Sequence, residues 1–121
     1  MYALGVGMSS SARVADLHAA AGTVLAEAGW AWGEVAVIGT ITRLADDERL
    51  ACLGPAVVGF DASDLEAVTV ASRPGPAAAR LAAPPVAEAA ALLAAGPGSR
   101  IVVPKRTSRY VTVAAAVGGG P

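Results

Sequence analysis

Tyr2-Ala3-Leu4-Gly5-Val6-Gly7-Met8-Ser9-Ser10-Ser11 opens the chain as a short apolar run that gives way to glycine and then to serine. A helical pattern follows, from about Ala12 to Ala28. Val14, Leu17, Ala21, Val24, Leu25 and Ala28 recur on one face, and Asp16, Thr23 and Glu27 on the other. Any of the three serines could cap this helix, and Gly29 is placed to end it. Val35 to Ile41 is nearly all apolar, as expected of a strand buried on both faces. Strand, helix and strand of these lengths imply a right-handed crossover and parallel pairing. The fold class follows: an α/β domain of three α/β/α layers.

The rest of the chain extends this unit. Asp46 or Asp47 can cap a short helix through Leu53, which Gly54-Pro55 stops. Ala56 to Phe60 reads as a third strand. Asp61-Ala62-Ser63-Asp64 looks like a helix start, with Asp61 or Ser63 as cap. Ser72-Arg73-Pro74-Gly75-Pro76 is a loop by composition. Pro84-Pro85 opens a helix that runs from Val86 to Ala95 and stops at Gly96-Pro97-Gly98. Ile101 to Val103 and Tyr110 to Ala116 are two β-branched runs around a break that begins at Pro104. The expected sheet is mainly parallel, with this antiparallel pair at its C-terminal end. Residues 1–116 should form one domain, and 117–121 a flexible glycine-rich tail.

Composition narrows the function classes. At 121 residues the chain is one domain, 55% hydrophobic but built largely from alanine and valine. Small side chains suit closely packed helix-on-sheet layers. A net charge of −1 carries no nucleic-acid footprint. The one cysteine, Cys52, excludes an internal disulfide and a cysteine-rich metal site, and reads as a buried small hydrophobe. No run of about twenty residues stays apolar, so no membrane span is expected. The N-terminus lacks a signal-peptide pattern, which points to the cytoplasm.

Several places could carry chemistry. The loop Gly5 to Ser11 leaves a strand and enters a helix, where backbone amides and the hydroxyls of Ser9, Ser10 and Ser11 could meet an anion. A plain strand-to-helix turn fits the same residues. Asp46, Asp47 and Glu48 follow another strand; they could include a general base, or simply charge a helix N-terminus. His18, at the rim of the first helix's apolar face, reads as packing. Glu88 reads as a surface acid that suits the helix dipole. Lys105, the only lysine beside eight arginines, sits with Arg106 and Arg109 at a sheet exit. These cations could face a ligand or guard an edge.

Taken together, the blocks resemble one family. The opening segment with Gly5-Val6-Gly7, then Thr40-Ile41 with Ala45-Asp46, then Val86-Ala87-Glu88-Ala89-Ala90-Ala91-Leu92 occur in its order. Val103-Pro104-Lys105 with Val111-Thr112-Val113-Ala114 completes the match. The chain is similar to the CobE/CbiG C-terminal domain family of cobalamin biosynthesis over nearly its whole length, and its length suits the stand-alone form. Two departures remove cations. Where the family's glycine loop usually has a cysteine and two arginines, this chain has Met8, Ser9 and Ser10. Where the family often has a lysine before the Ala-Asp pair, it has Leu44.

The resemblance implies binding or processing of a precorrin or corrinoid intermediate through its carboxylates, linked to lactone opening of cobalt-precorrin-5A. The implied contacts are Gly5, Gly7, Met8, Ser9, Ser10, Ser11, Thr40, Lys105 and Arg106. For a hydrolase, Asp46 or Glu48 would be the candidate base. No resident cofactor or metal site is implied; cobalt would enter only as part of a corrinoid ligand. The expected partners are a tetrapyrrole of precorrin or cobyrinic type and other cobalamin-pathway enzymes, with neither nucleic acid nor membrane. Small-residue helix faces and an edge hairpin are compatible with a homodimer. Two alternatives stay open: a non-catalytic carrier or scaffold for corrin-pathway enzymes, and a small phosphate- or nucleotide-binding α/β domain.

Overall fold

Alternating apolar strands of small residues can be covered on both faces by helices, and this chain does so. The computed structural model describes residues 1–72 and 86–119. Its strands are β1 (Tyr2–Met8), β2 (Val35–Ile41), β3 (Ala56–Phe60), β4 (Arg100–Thr107) and β5 (Val111–Val117). Its helices are α1 (Val14–Ala28), α2 (Glu48–Ala51), α3 (Ala62–Ser72) and α4 (Val86–Ala95). The sheet order is β3-β2-β1-β5-β4. β1, β2 and β3 pair in parallel, while β5 runs antiparallel to both β1 and β4. Residues 73–76 of the expected loop and Pro84-Pro85 of the expected helix start lie outside the described residues.

Side chains alternate across each strand, so the two faces have separate cores. Leu4, Val6, Ile38, Val111, Val113 and Ala115 pack against Leu17, Ala21, Val24 and Leu25 of α1. Ala3, Val37, Ala114 and Ala116 pack against Ala87, Ala91 and Ala95 of α4. α3 adds Leu65 against Ala89 and Ala90. The alanines of α4 allow its backbone to lie directly on the sheet. Gly5 and Gly39 are register partners on neighbouring strands. A Cβ on Gly5 would strike the Ala87 carbonyl oxygen, and one on Gly39 the Ala90 carbonyl oxygen.

Four local expectations are corrected. No serine caps α1: Arg13 takes the N-cap in extended conformation, and Asp16 accepts its N–H at 2.9 Å. Asp16 sits three residues on, where a carboxylate reaches back to the cap. Second, β4 does not break at Pro104 but continues to Thr107 through a register shift between Val103 and Arg106. An edge strand with a bulge tolerates a missing N–H. Third, α2 ends at Ala51, short of Leu53. Fourth, Cys52 is exposed, because Leu50 and Leu53 take the inward positions.

Other ends behave as the residues imply. Asp47 caps α2, accepting the Arg49 N–H. Gly29 ends α1 at φ 76°, in the left-handed region, and donates to Leu25 and Ala26. Asp61 precedes α3; its side chain accepts the Thr42 hydroxyl at 2.8 Å. The expected tail differs: β5 includes Val117, Gly118 donates to the Met1 carbonyl, and Gly119 donates to that of Pro97, while 120–121 lie outside the described residues. Among the described residues, no helix is long and apolar enough to cross a membrane.

Candidate ligand-binding site

The carboxyl ends of parallel strands and the loops that follow them form the natural ligand-binding edge of such a sheet. Here the β1–α1 loop and the β4–β5 turn meet at that edge. The Ser9 N–H donates to the Tyr110 carbonyl at 3.0 Å, and the turn is closed by the Ser108 N–H on Val111. Between them lies a depression of about 530 Å³ lined by Ser11, Arg13, Asp16, Arg109 and Tyr110. The Arg109 guanidinium lies 5.9 Å from the centre of the Tyr110 ring. Two guanidinium groups, a hydroxyl and a phenol ring can hold carboxylates and stack on a flat conjugated molecule.

The loop that carries Ser11 and Arg13 is held from behind by Arg49. Its Nη1 donates to the carbonyls of Ser9 (3.1 Å), Ser10 (3.4 Å) and Ala12 (2.7 Å). Its Nε and Nη2 hold both oxygens of Asp47, at 2.9 and 2.7 Å. The side-chain hydrogen bonds from Arg49, joined by the Arg49 backbone N–H, hold the Asp47 carboxyl down at about 2. In return Asp47 pushes the guanidinium's pKa up. Asp47 is therefore ionised and committed to its neighbour, which makes it a poor proton acceptor.

The same loop is a weak cradle for a phosphate. Ser9 N–H is bonded to Tyr110, Ser11 N–H to the Ser9 hydroxyl, Ala12 N–H to the Ser9 carbonyl and Arg13 N–H to Asp16. These four amides are already bonded, within the loop and its helix or to the β4–β5 turn, so they are not offered to an anion.

The sequence candidates fall in different places. Ser9, Ser10 and Ser11 are exposed on the loop, and Ser11 lines the depression. Gly5 is closed off by α4, whereas a Cβ at Gly7 would meet nothing within 4 Å. Met8 is buried against the α1 side. Thr40 is fully buried and donates to the Val6 carbonyl at 2.8 Å, tying β2 to β1. Lys105 and Arg106 part company. The Lys105 backbone N–H reaches Glu88 of α4, and the Arg106 guanidinium reaches Glu27 of α1. Lys105 is exposed on edge strand β4, with β5 between it and β1. Asp46 and Glu48 are exposed on either side of the half-buried Asp47 and do not line the depression. His18 is exposed, its ring centre 5.4 Å from that of Trp32.

Arg13, Arg49 and Tyr110 do not stand out as site residues in the sequence, and Arg109 reads there only as one of three cations at a sheet exit. A signal existed for Arg49, two residues from Asp47 and beside a cap. Nothing local marks its reach to Ser9, forty positions away.

Comparison with known proteins bears on this geometry. The family model for the cobalamin synthesis G C-terminus matches residues 2–116. CobE, a protein from the cobalamin (vitamin B12) biosynthetic pathway, superimposes with a TM-score of 0.78 at 24% identity, over 96% of this chain and 89% of that one. The cobalamin biosynthesis protein chiG from Agrobacterium tumefaciens str. C58 gives 0.77 at 29% identity, over 99% of this chain and 100% of that one. A cobalamin biosynthesis protein G homolog from Sulfolobus solfataricus gives 0.74 at 18% identity, over 95% of this chain but 36% of its own length. No curated protein matches the chain.

Proposed function

The chain belongs to the cobalamin synthesis G C-terminal family, a cobalamin biosynthesis protein of the CbiG C-terminal/CobE type, and from that premise we propose that it binds a precorrin or corrinoid intermediate by its peripheral carboxylates. The observation that carries this reading is the depression at the carboxyl end of β1, lined by Arg13, Arg109, Tyr110 and Ser11 together with Asp16, whose carboxylate is already engaged by the Arg13 N–H. Guanidinium groups suit planar carboxylates, and an aromatic ring suits the apolar face of a tetrapyrrole. The two arginines supply cations at the same edge as Ser9 and Ser10. Cobalt, where present, belongs to the ligand. In this reading the protein works in the cytoplasm beside the other enzymes of its pathway.

Binding is favoured over hydrolysis by the state of the acidic loop. Opening a lactone needs an activated water, and the one acid of that loop with a fixed partner, Asp47, is tied to Arg49. Asp46 and Glu48 lie outside the depression. The protein then acts as a carrier that presents an intermediate to a pathway enzyme. The nucleotide-binding alternative loses support because four amides of the loop, those of Ser9, Ser11, Ala12 and Arg13, are already bonded.

Absorbance titration with cobyrinic acid tests the proposal. Saturable binding is expected, weakened roughly three- to tenfold by Arg13→Ala or Arg109→Ala. A response to nucleotides alone would overturn it. Acetaldehyde release from the lactone of cobalt-precorrin-5A by the protein alone would replace the carrier with a hydrolase.

A further inference from the structure

A second depression lies in the seam between α1 and the β4–β5 hairpin, along the same side of the helix as the first. It measures about 240 Å³ and is lined by Ala19, Ala20, Thr23, Arg106, Thr107 and Ser108. The first depression contains Asp16 of the same helix and Arg109 of the same hairpin, one helical turn and one residue away. The small side chains of Ala19 and Ala20 and the low profile of Thr23, whose hydroxyl turns back to the Ala19 carbonyl, keep the seam open between them. Cations stand at both ends: Arg13 and Arg109 at one, Arg106 at the other. The two ends of α1 lie about 20 Å apart by the helical rise.

The far cation already holds a carboxylate. Arg106 Nε donates to Glu27 at 2.9 and 3.2 Å, and both side chains remain nearly half exposed, 48% and 41%. An ion pair so wet contributes little to stability, so exchanging one carboxylate for another at Arg106 costs little. Building on the carboxylate reading above, we infer that Glu27 is a built-in competitor. It occupies Arg106 in the empty protein and yields that guanidinium to a second carboxylate of a polycarboxylic ligand lying along the seam. The ligand class is a tetrapyrrole-type polycarboxylate, with rim carboxylates bound by Arg13 and Arg109 on one side and by Arg106 on the other.

Removing Glu27, whose one ion-pair partner among the described residues is Arg106, should therefore tighten binding. Titration with cobyrinic acid at low ionic strength is the test, with its fully esterified form as the probe that lacks carboxylates. Glu27→Gln should lower Kd roughly two- to fivefold, and Arg106→Ala should raise it by a similar factor. In an Arg106→Ala background, Glu27→Gln should have no further effect. The ester should not respond to any of these changes. Both positions are exposed, so thermal unfolding should stay near that of the parent, separating affinity from folding. A Glu27→Gln effect that persists without Arg106 would show a general loss of negative field and overturn the competitor. So would an unchanged Kd in both single variants while Arg13→Ala still weakens binding, and the carboxylate reading would then survive. Failure of the parent protein to bind cobyrinic acid at all would overturn that reading, and this inference with it.

Discussion

Arg49 holds both carboxylate oxygens of Asp47, at 2.9 and 2.7 Å, while its remaining nitrogen gathers three carbonyls from the β1–α1 loop. One half-buried side chain thus joins the loop after β2 to the loop after β1. That is how two segments distant in sequence form one rigid edge beside the depression.

Replacing Arg49 with alanine should free three carbonyls at once and leave Asp47 without its partner. About a fifth of each side chain remains in water, 23% for Arg49 and 21% for Asp47, so solvent screens the pair. The expected loss is about 1–2 kcal/mol of unfolding free energy, read by urea denaturation. Arg49→Lys should recover only part of it, because an ammonium cannot hold a carboxylate bidentately and reach the carbonyls together. A fully stable Arg49→Ala variant would show the clamp to be idle.

The same pair sets an acid-side dependence. The Asp47 pKa is lowered from 3.8 to about 2, so the folded state favours the ionised form more than the unfolded chain does. Its contribution is fully present above about pH 4 and is lost as pH falls through about 2. Asp47→Asn should therefore flatten the stability curve between about pH 4 and pH 2 and leave its shape near neutrality unchanged. Chemical denaturation of both proteins across that range checks the sign.

Gly5 and Gly7 are separated by one residue but should tolerate substitution very differently. Gly5→Ala drives a methyl into the Ala87 carbonyl and should cost about 1–3 kcal/mol or more, since backbone must move. Gly7→Ala meets nothing within 4 Å and should stay within about 0.5 kcal/mol of the parent. Comparable losses for the two would mean that α4 does not rest on β1 as described.

Thr40→Val removes the hydroxyl that donates to Val6 inside the sheet. A net hydrogen bond is worth about 1 kcal/mol, so a loss of that order is expected in unfolding experiments. Affinity for cobyrinic acid should be unchanged, because the hydroxyl is fully buried between strands. Weakened binding at unchanged stability would return Thr40 to the ligand site.

The layers are legible in the chain's local patterns. Helical spacing along α1, the apolar run of β2, and the glycine stops after α1 and α4 are local, and local physics sets them. The bounds of β2, β3 and α4 are legible to the residue for the same reason. Family membership was legible too, because its blocks are contiguous runs in order. Which groups meet is set by the assembled sheet instead. Lys105 and Arg106 are neighbours in sequence, yet the Lys105 backbone N–H meets Glu88 of α4 while the Arg106 guanidinium meets Glu27 of α1. Gly5 looked like room for a ligand, but the alanine face of α4 fills it. The serine loop looked like an anion cradle until its amides found partners in Tyr110, Ser9 and Asp16. Arg13 and Arg109 share a depression across 96 positions of chain. Local propensity acts over a few residues, whereas a site is a set of distances between strands, and those distances come from the order in which the sheet is assembled.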